Sequence, residues 1–175
     1  MKGGGMNYDG FLHYESLHRP DGDQVPVDAT RSLKMVVRGT PVPQGSKRAF
    51  VNKRTSKAVV VESAGARHRT YRGDIREEAE SRWPWDPTDQ PMVIRIVFRF
   101  RRPQSHFRTG KNAHLLRDSA PFRHTQRPDA DKLLRSVLDA LTGVVFVDDS
   151  QVISVAVGKE WGTVDETVID GMLAR

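Results

Sequence analysis

The stretch Met92 to Arg101, Met-Val-Ile-Arg-Ile-Val-Phe-Arg-Phe-Arg, constrains the fold more than any other part of the chain. On an extended backbone, Met92, Ile94, Ile96, Phe98 and Phe100 fall on one side, and Val93, Arg95, Val97, Arg99 and Arg101 on the other. A strand with so apolar a face must lie against a second layer, while its arginine face calls for water or phosphate. The chain is therefore expected to carry a sheet covered on one side.

Other segments supply the covering layer. Ser32 to Gly39 alternates, with Leu33, Met35 and Val37 inward and Lys34, Val36 and Arg38 outward, as in a half-buried strand. Pro41-Val42-Pro43-Gln44-Gly45-Ser46 ends it in a loop. Ala58 to Val61 reads as a short strand. From Ala64 to Trp83 the spacing becomes helical, through Tyr71, Ile75, Ala79 and Trp83, until Pro84 stops it. Asp131 to Leu141 is an amphipathic helix on Leu133, Leu134, Val137, Leu138 and Leu141, with Gly143 placed to terminate it. Val144 to Val147 reads as a buried strand and Gln151 to Lys159 as another, while Gly162 to Arg175 fits strand or helix. The order predicts a single α+β domain over residues 31–175: a mixed sheet with helices on one face.

Composition narrows the function. The 175 residues carry a net charge of +6 and no cysteine. A disulfide framework, a thiolate zinc site and a cysteine nucleophile are thereby excluded, and a cytoplasmic location fits. No run approaches a membrane span. Residues 1–30 hold five acids against two cations and three consecutive glycines, which predicts a poorly ordered acidic arm. Residues 95–127 hold nine cationic side chains against Asp118 alone. A second basic group runs from Lys47 and Arg48 to Arg72. Two clusters of one sign repel unless a polyanion neutralises them, which points to nucleic acid. Residues 103–127 are rich in Arg, His and Ser without clear periodicity, and read as a long functional loop.

The chemistry concentrates in Arg127-Pro128-Asp129-Ala130-Asp131-Lys132-Leu133-Leu134-Arg135 and in the turn Val147-Asp148-Asp149-Ser150-Gln151. Asp129 and Asp131, two apart on extended chain, can point the same way, and Asp131 stands where a helix start favours a carboxylate. A tight helix-to-strand return would bring Asp148 and Asp149 back beside them. Carboxylates so gathered need a cation, and hard oxygen donors select Mg²⁺ or Mn²⁺. Taken singly, Asp131 also reads as a helix cap and Asp148-Asp149 as a polar turn, while Asp139 is placed to pair with Arg135. The six histidines lack metal-ligand spacing, and Ser46 follows no phosphate-binding loop.

Asp-x-Asp at a helix start, Leu-Asp-Ala-Leu at 138–141, and Asp-Asp-x-Gln-Val before a strand ending in Lys159 together resemble the RusA family of Holliday-junction resolvases. The likeness is strongest over residues 127–159 and extends to Pro-Val-Pro-Gln-Gly at 41–45. It implies a RusA-like fold and a homodimeric, magnesium-dependent crossover junction endodeoxyribonuclease that makes paired symmetric nicks in four-way DNA, in recombination and repair. It implies metal binding by Asp129, Asp131 and Asp149, with Asp148 beside them, and a role for the basic Lys159. Lys132 stands where the family usually has Asn, and Arg135 where it usually has a catalytic Lys. Arg keeps the charge without reproducing an ammonium. Arg135 or Lys159 is expected to stabilise transition-state charge, and Lys47, Arg48, Arg99, Arg101, Arg127 and Lys132 to contact DNA. A binding-only protein and a nuclease for flaps or forks are the alternatives.

Overall fold

The computed structural model describes residues 27–45, 47–52, 54–62 and 65–174. Strand β1 (Val27–Arg38) is followed by β2 (Lys47–Asn52), β3 (Lys57–Glu62) and helix α1 (Gly65–Arg82). Then come β4 (Met92–Arg101), helix α2 (Ala130–Leu141), β5 (Val152–Gly162) and β6 (Glu166–Ala174). Four strands form one mixed sheet in the order β1-β6-β4-β5, and β2 and β3 form a separate antiparallel hairpin. The fold is α+β, as the patterning predicts. No helix among the described residues is long and apolar enough to cross a membrane.

Strand β4 sits inside the sheet, antiparallel to β6 and parallel to β5. A parallel neighbour requires a crossover, and residues 103–151, including α2, supply it. The apolar face of β4 is sealed: Met92, Ile94, Ile96 and Phe98 are buried with Leu33, Met35, Val37 and Ile169 from the flanking strands. Helix α1 adds Tyr71, Ile75 and Ala79 to this core, and α2 adds Leu133, Val137, Ala140 and Leu141. Both helices thus cover the same face. Leu133 is fully buried, so Leu133→Ala is expected to cost about 2–5 kcal/mol through lost transfer energy and a cavity.

The other face differs from expectation. Val93 and Val97 are buried too, and Arg99 faces neither water nor phosphate alone. Its register neighbours on β5 and β6 are Glu160 and Glu166. Arg99 Nε donates to Glu160 Oε1 at 2.6 Å and Nη1 to Glu166 Oε1 at 2.8 Å. Burial pulls its pKa down, but the two carboxylates more than offset this and hold the guanidinium firmly charged. Arg99 is a cross-strand clamp, its guanidinium engaged within the sheet by two carboxylates.

Several boundaries also move. Residues 27–30 belong to β1, pairing with β6, and the rest of the expected arm lies outside the described residues. Residues 144–147 form isolated bridges from Phe146 to Thr88 and Thr142, short of a strand. The ambiguous C-terminal stretch is β6, because β1 and β4 each offer it an unpaired edge. Residues 103–127 are folded on themselves around a Phe107–Leu116 bridge, with Arg108 Nη2 2.7 Å from Asp118 Oδ1.

Candidate active site

Proline spacing and helix α2 together build a cleft of about 750 Å³ between the 40–45 loop and the α2 start, lined by Val42, Gln44, Arg67, Phe100, Arg127 and Asp129 among others. Pro41 and Pro43 keep the loop out of the sheet. Its course is set by Gln44, whose N–H donates to Lys132 O at 2.9 Å and whose Nε2 donates to Asp139 Oδ2 at 2.9 Å. Arg72 of α1 reinforces that post, with Nη2 donating to Asp139 O at 3.0 Å and Nη1 lying 3.7 Å from Asp139 Oδ2. Asp139 is therefore occupied by Gln44 and Arg72, which corrects the expected pair with Arg135. At the start of the loop, Asp165 accepts from Thr40 Oγ1 and from the Arg101 N–H, both at 2.6 Å.

Asp129 is the N-cap residue of α2, yet its side chain makes no capping hydrogen bond. An N-cap carboxylate ordinarily satisfies a free helix N–H. Here Oδ2 instead meets Lys132 Nζ at 3.1 Å, in the open cleft. Asp131 is exposed in the first helical turn. The cap is thus Asp129 and not Asp131, and because Asp131 is helical the extended-chain reason for the two pointing together does not apply. Arg135 lies one turn beyond Asp131, exposed, and its side chain has no hydrogen bond or ion pair among the described residues. It is available to an incoming anion.

The backbone leading into Asp129 is held from β5. Lys159 Nζ donates to Gln126 O at 2.7 Å and to Pro128 O at 2.8 Å, and the Arg127–Pro128 peptide is cis. The ammonium therefore orders the site entrance. His124, 6% exposed, stacks between Phe100 and Trp161 at centroid distances of 4.3 and 4.2 Å. Burial first, and the Lys159 charge second, lower its pKa and favour neutral imidazole.

Asp148 and Asp149 lie elsewhere. Asp149 begins a 3₁₀ turn ahead of β5, and seven residue steps of strand lead from Val152 to Lys159. At ~3.3 Å per residue this sets the turn about 20 Å or more along the strand from the Cα of Lys159, the residue whose side chain anchors Pro128. The return after α2 delivers the chain to the helix's C-terminal end, so the expected convergence does not occur within one chain. Asp148 Oδ1 accepts from Ser150 N at 2.9 Å while Asp148 N donates to Gln151 Oε1 at 2.9 Å, a capping box. The hydrogen bonds from Ser150 hold the Asp148 carboxyl below its ordinary pKa. Asp149 is exposed. Among the described residues no group of three or more His, Asp or Glu side chains could hold a metal.

The structure thus gathers Arg127, Asp129, Asp131, Lys132 and Lys159 at one end of α2, with Arg135 a turn away. Arg101 is exposed at the end of β4. Lys47 and Arg48 open β2, in register with Glu62 and Val61, and their side chains lie outside what is described. Sequence reasoning did not assign Gln44, Arg67 or Phe100 to the site. Gln44 carried a local sign in its place in the Pro-x-Pro-Gln-Gly loop, and Arg67 one in its membership of the second basic group. A family model described as endodeoxyribonuclease RusA matches residues 39–170, which contain every element of this cleft. No curated protein matches the chain.

Proposed function

This chain belongs to the RusA family of endodeoxyribonucleases, the crossover junction resolvases, and from that premise we propose that it cuts four-way DNA as a Mg²⁺-dependent homodimer. Paired symmetric nicks, made in the cytoplasm during recombination and repair, are its proposed work. The observation that carries this reading is Asp129, a carboxylate at a helix start that is spent on no helix amide and lies in a cleft rimmed by Arg67, Arg127 and Lys132.

RusA nucleases in general depend on a divalent metal, and the donor set fits one in part. Asp129 and Asp131 are exposed hard-oxygen donors, and Lys132 Nζ already places a cationic group 3.1 Å from Asp129. Asp149, the third carboxylate that the resemblance implies, forms no metal-holding group with Asp129 and Asp131 among the described residues. A two-fold dimer would supply it, with Asp148, from the second copy, and a junction with two equivalent strands suits two such sites. When bound, Mg²⁺ or Mn²⁺ supplies Lewis-acid polarisation of the scissile phosphate and activation of the attacking water.

The chain's own groups do the rest. Asp129 and Asp131 would hold the ion. Lys132, now paired with Asp129, would be free to contact phosphate when that carboxylate binds a metal. Arg135 meets charge that builds on the phosphoryl oxygens. Arg101 and Arg127 track the DNA backbone. Lys159 keeps Pro128 and Gln126 in place, so that Asp129 presents its carboxylate in one position.

The deciding experiment is cleavage of a labelled synthetic junction with Mg²⁺ and with EDTA, by wild type and Asp131→Asn. Symmetric nicks that require both metal and Asp131 are expected. Tight junction binding without nicks under any divalent metal would overturn the catalytic reading, and equal cutting of flaps would overturn the junction specificity.

A further inference from the structure

The segment joining the 103–127 excursion to α2 is anchored at close intervals. Arg102 Nη1 donates to Pro121 O at 2.9 Å, His124 is clamped between Phe100 and Trp161, and Lys159 holds Gln126 O and Pro128 O. Between the first two anchors, Phe122 projects outward. Its residue is 76% exposed, the most exposed large hydrophobic among the described residues. Arg123 lies against it, with Cζ 5.0 Å from the ring centroid. An aromatic ring held out by a backbone fixed on both sides, with a guanidinium on one face, leaves its other face for a planar ligand.

The surroundings decide which ligand. Residues 103–127 are strongly basic, and Arg127, five residues on, lines the cleft with Asp129. Cationic side chains around a projecting aromatic suit nucleic acid better than an apolar partner. In linear duplex every base is already stacked between neighbours, so inserting a ring must first break a stack. At a branch point the stacking is already interrupted and a base is cheaper to expose. We propose that Phe122, backed by Arg123, is a stacking wedge that takes the unstacked base at the branch point and so helps this protein distinguish branched from linear DNA. This rests on the junction-nuclease reading and assigns to that site its source of structural selectivity.

The test compares binding in EDTA of wild type, Phe122→Ala and Phe122→Trp to a four-way junction, to the same junction with abasic branch-point nucleotides, and to linear duplex. Phe122→Ala is expected to weaken intact-junction binding about 5- to 150-fold, the equivalent of ~1–3 kcal/mol at 1.36 kcal/mol per decade. Duplex affinity should stay within about twofold, Phe122→Trp should bind the junction like wild type, and the abasic junction should bind wild type and Phe122→Ala alike. An Ala variant that binds the intact junction normally, that weakens duplex equally, or that still loses affinity for the abasic junction would overturn the wedge. Nicking of the junction by wild type with Mg²⁺, run in parallel, reports on the nuclease reading separately. Its failure beside an intact Phe122 effect would remove the catalysis and leave the wedge.

Discussion

Lys159 Nζ donates to the carbonyl oxygen of Pro128 at 2.8 Å, tying the far end of β5 to the residue that precedes the candidate ligand Asp129. The same ammonium takes Gln126 O at 2.7 Å. A lysine so engaged orders the entrance to the site before it can contact DNA. Lys159→Met is expected to lower nicking about 10- to 100-fold through misplacement of Asp129, while junction affinity in EDTA changes little. Parallel measurement of single-turnover cleavage and of affinity against salt separates the two roles. A lysine that contacts phosphate would instead lower the salt slope by about 1.

Arg99 makes the reverse case, a cation from the most basic stretch that works inside the sheet. Arg99→Ala leaves Glu160 and Glu166 facing each other without their shared donor, and is expected to destabilise the fold by about 1.5–3 kcal/mol. Denaturant unfolding measures the loss. The salt dependence of junction binding should be unchanged, whereas Arg127→Ala should lower its slope by about 1. Equal slopes for the two variants would contradict the clamp.

If Asp129 holds a metal, its contact with Lys132 opposes loading. Lys132→Asn should raise Mn²⁺ affinity by up to about fivefold, the range of an exposed ion pair, and weaken DNA binding by removal of one cation. Titration of Mn²⁺ by electron paramagnetic resonance reads the first effect without any turnover. An unchanged Mn²⁺ affinity would show that Lys132 leaves Asp129 without cost.

His124 makes stability pH-dependent. Burial and then Lys159 lower its folded-state pKa below the ordinary 6.5, so its contribution is complete above about pH 6.5 and is lost as pH falls below it. Wild-type Tm should therefore drop between pH 7 and pH 5 by more than that of His124→Phe, which keeps the stack with Phe100 and Trp161. Parallel Tm profiles would exclude His124 as the titrating group.

Separation of Asp149 from Asp131 makes the dimer testable by complementation. If each site draws Asp149 from the other copy, a mixed Asp131→Asn/Asp149→Asn dimer has one doubly defective site and one intact site. It should nick one strand of each junction, although neither homodimer cuts. If each chain builds its own site, the mixture is expected to be inactive.

Periodicity and composition already determined much of this protein. The two-residue period of 92–101 and of Ser32–Gly39, and the helical spacing of Tyr71, Ile75 and Ala79, specify which faces are buried, because alternation and burial are local consequences of backbone geometry. The basic excess and the Asp-x-Asp helix start were equally legible. What a charged side chain meets was not, because its partners are far away in sequence. Arg99 and Glu160, Asp139 and Arg72, and Lys159 and Pro128 are brought together only by strand order and helix packing. The same topology sends the Asp148-Asp149 turn to the C-terminal end of α2, since a helix of 12 residues carries the chain about 18 Å before the strand returns. Spacing along the chain named the acids; only the tertiary structure decided which of them share one end of the molecule.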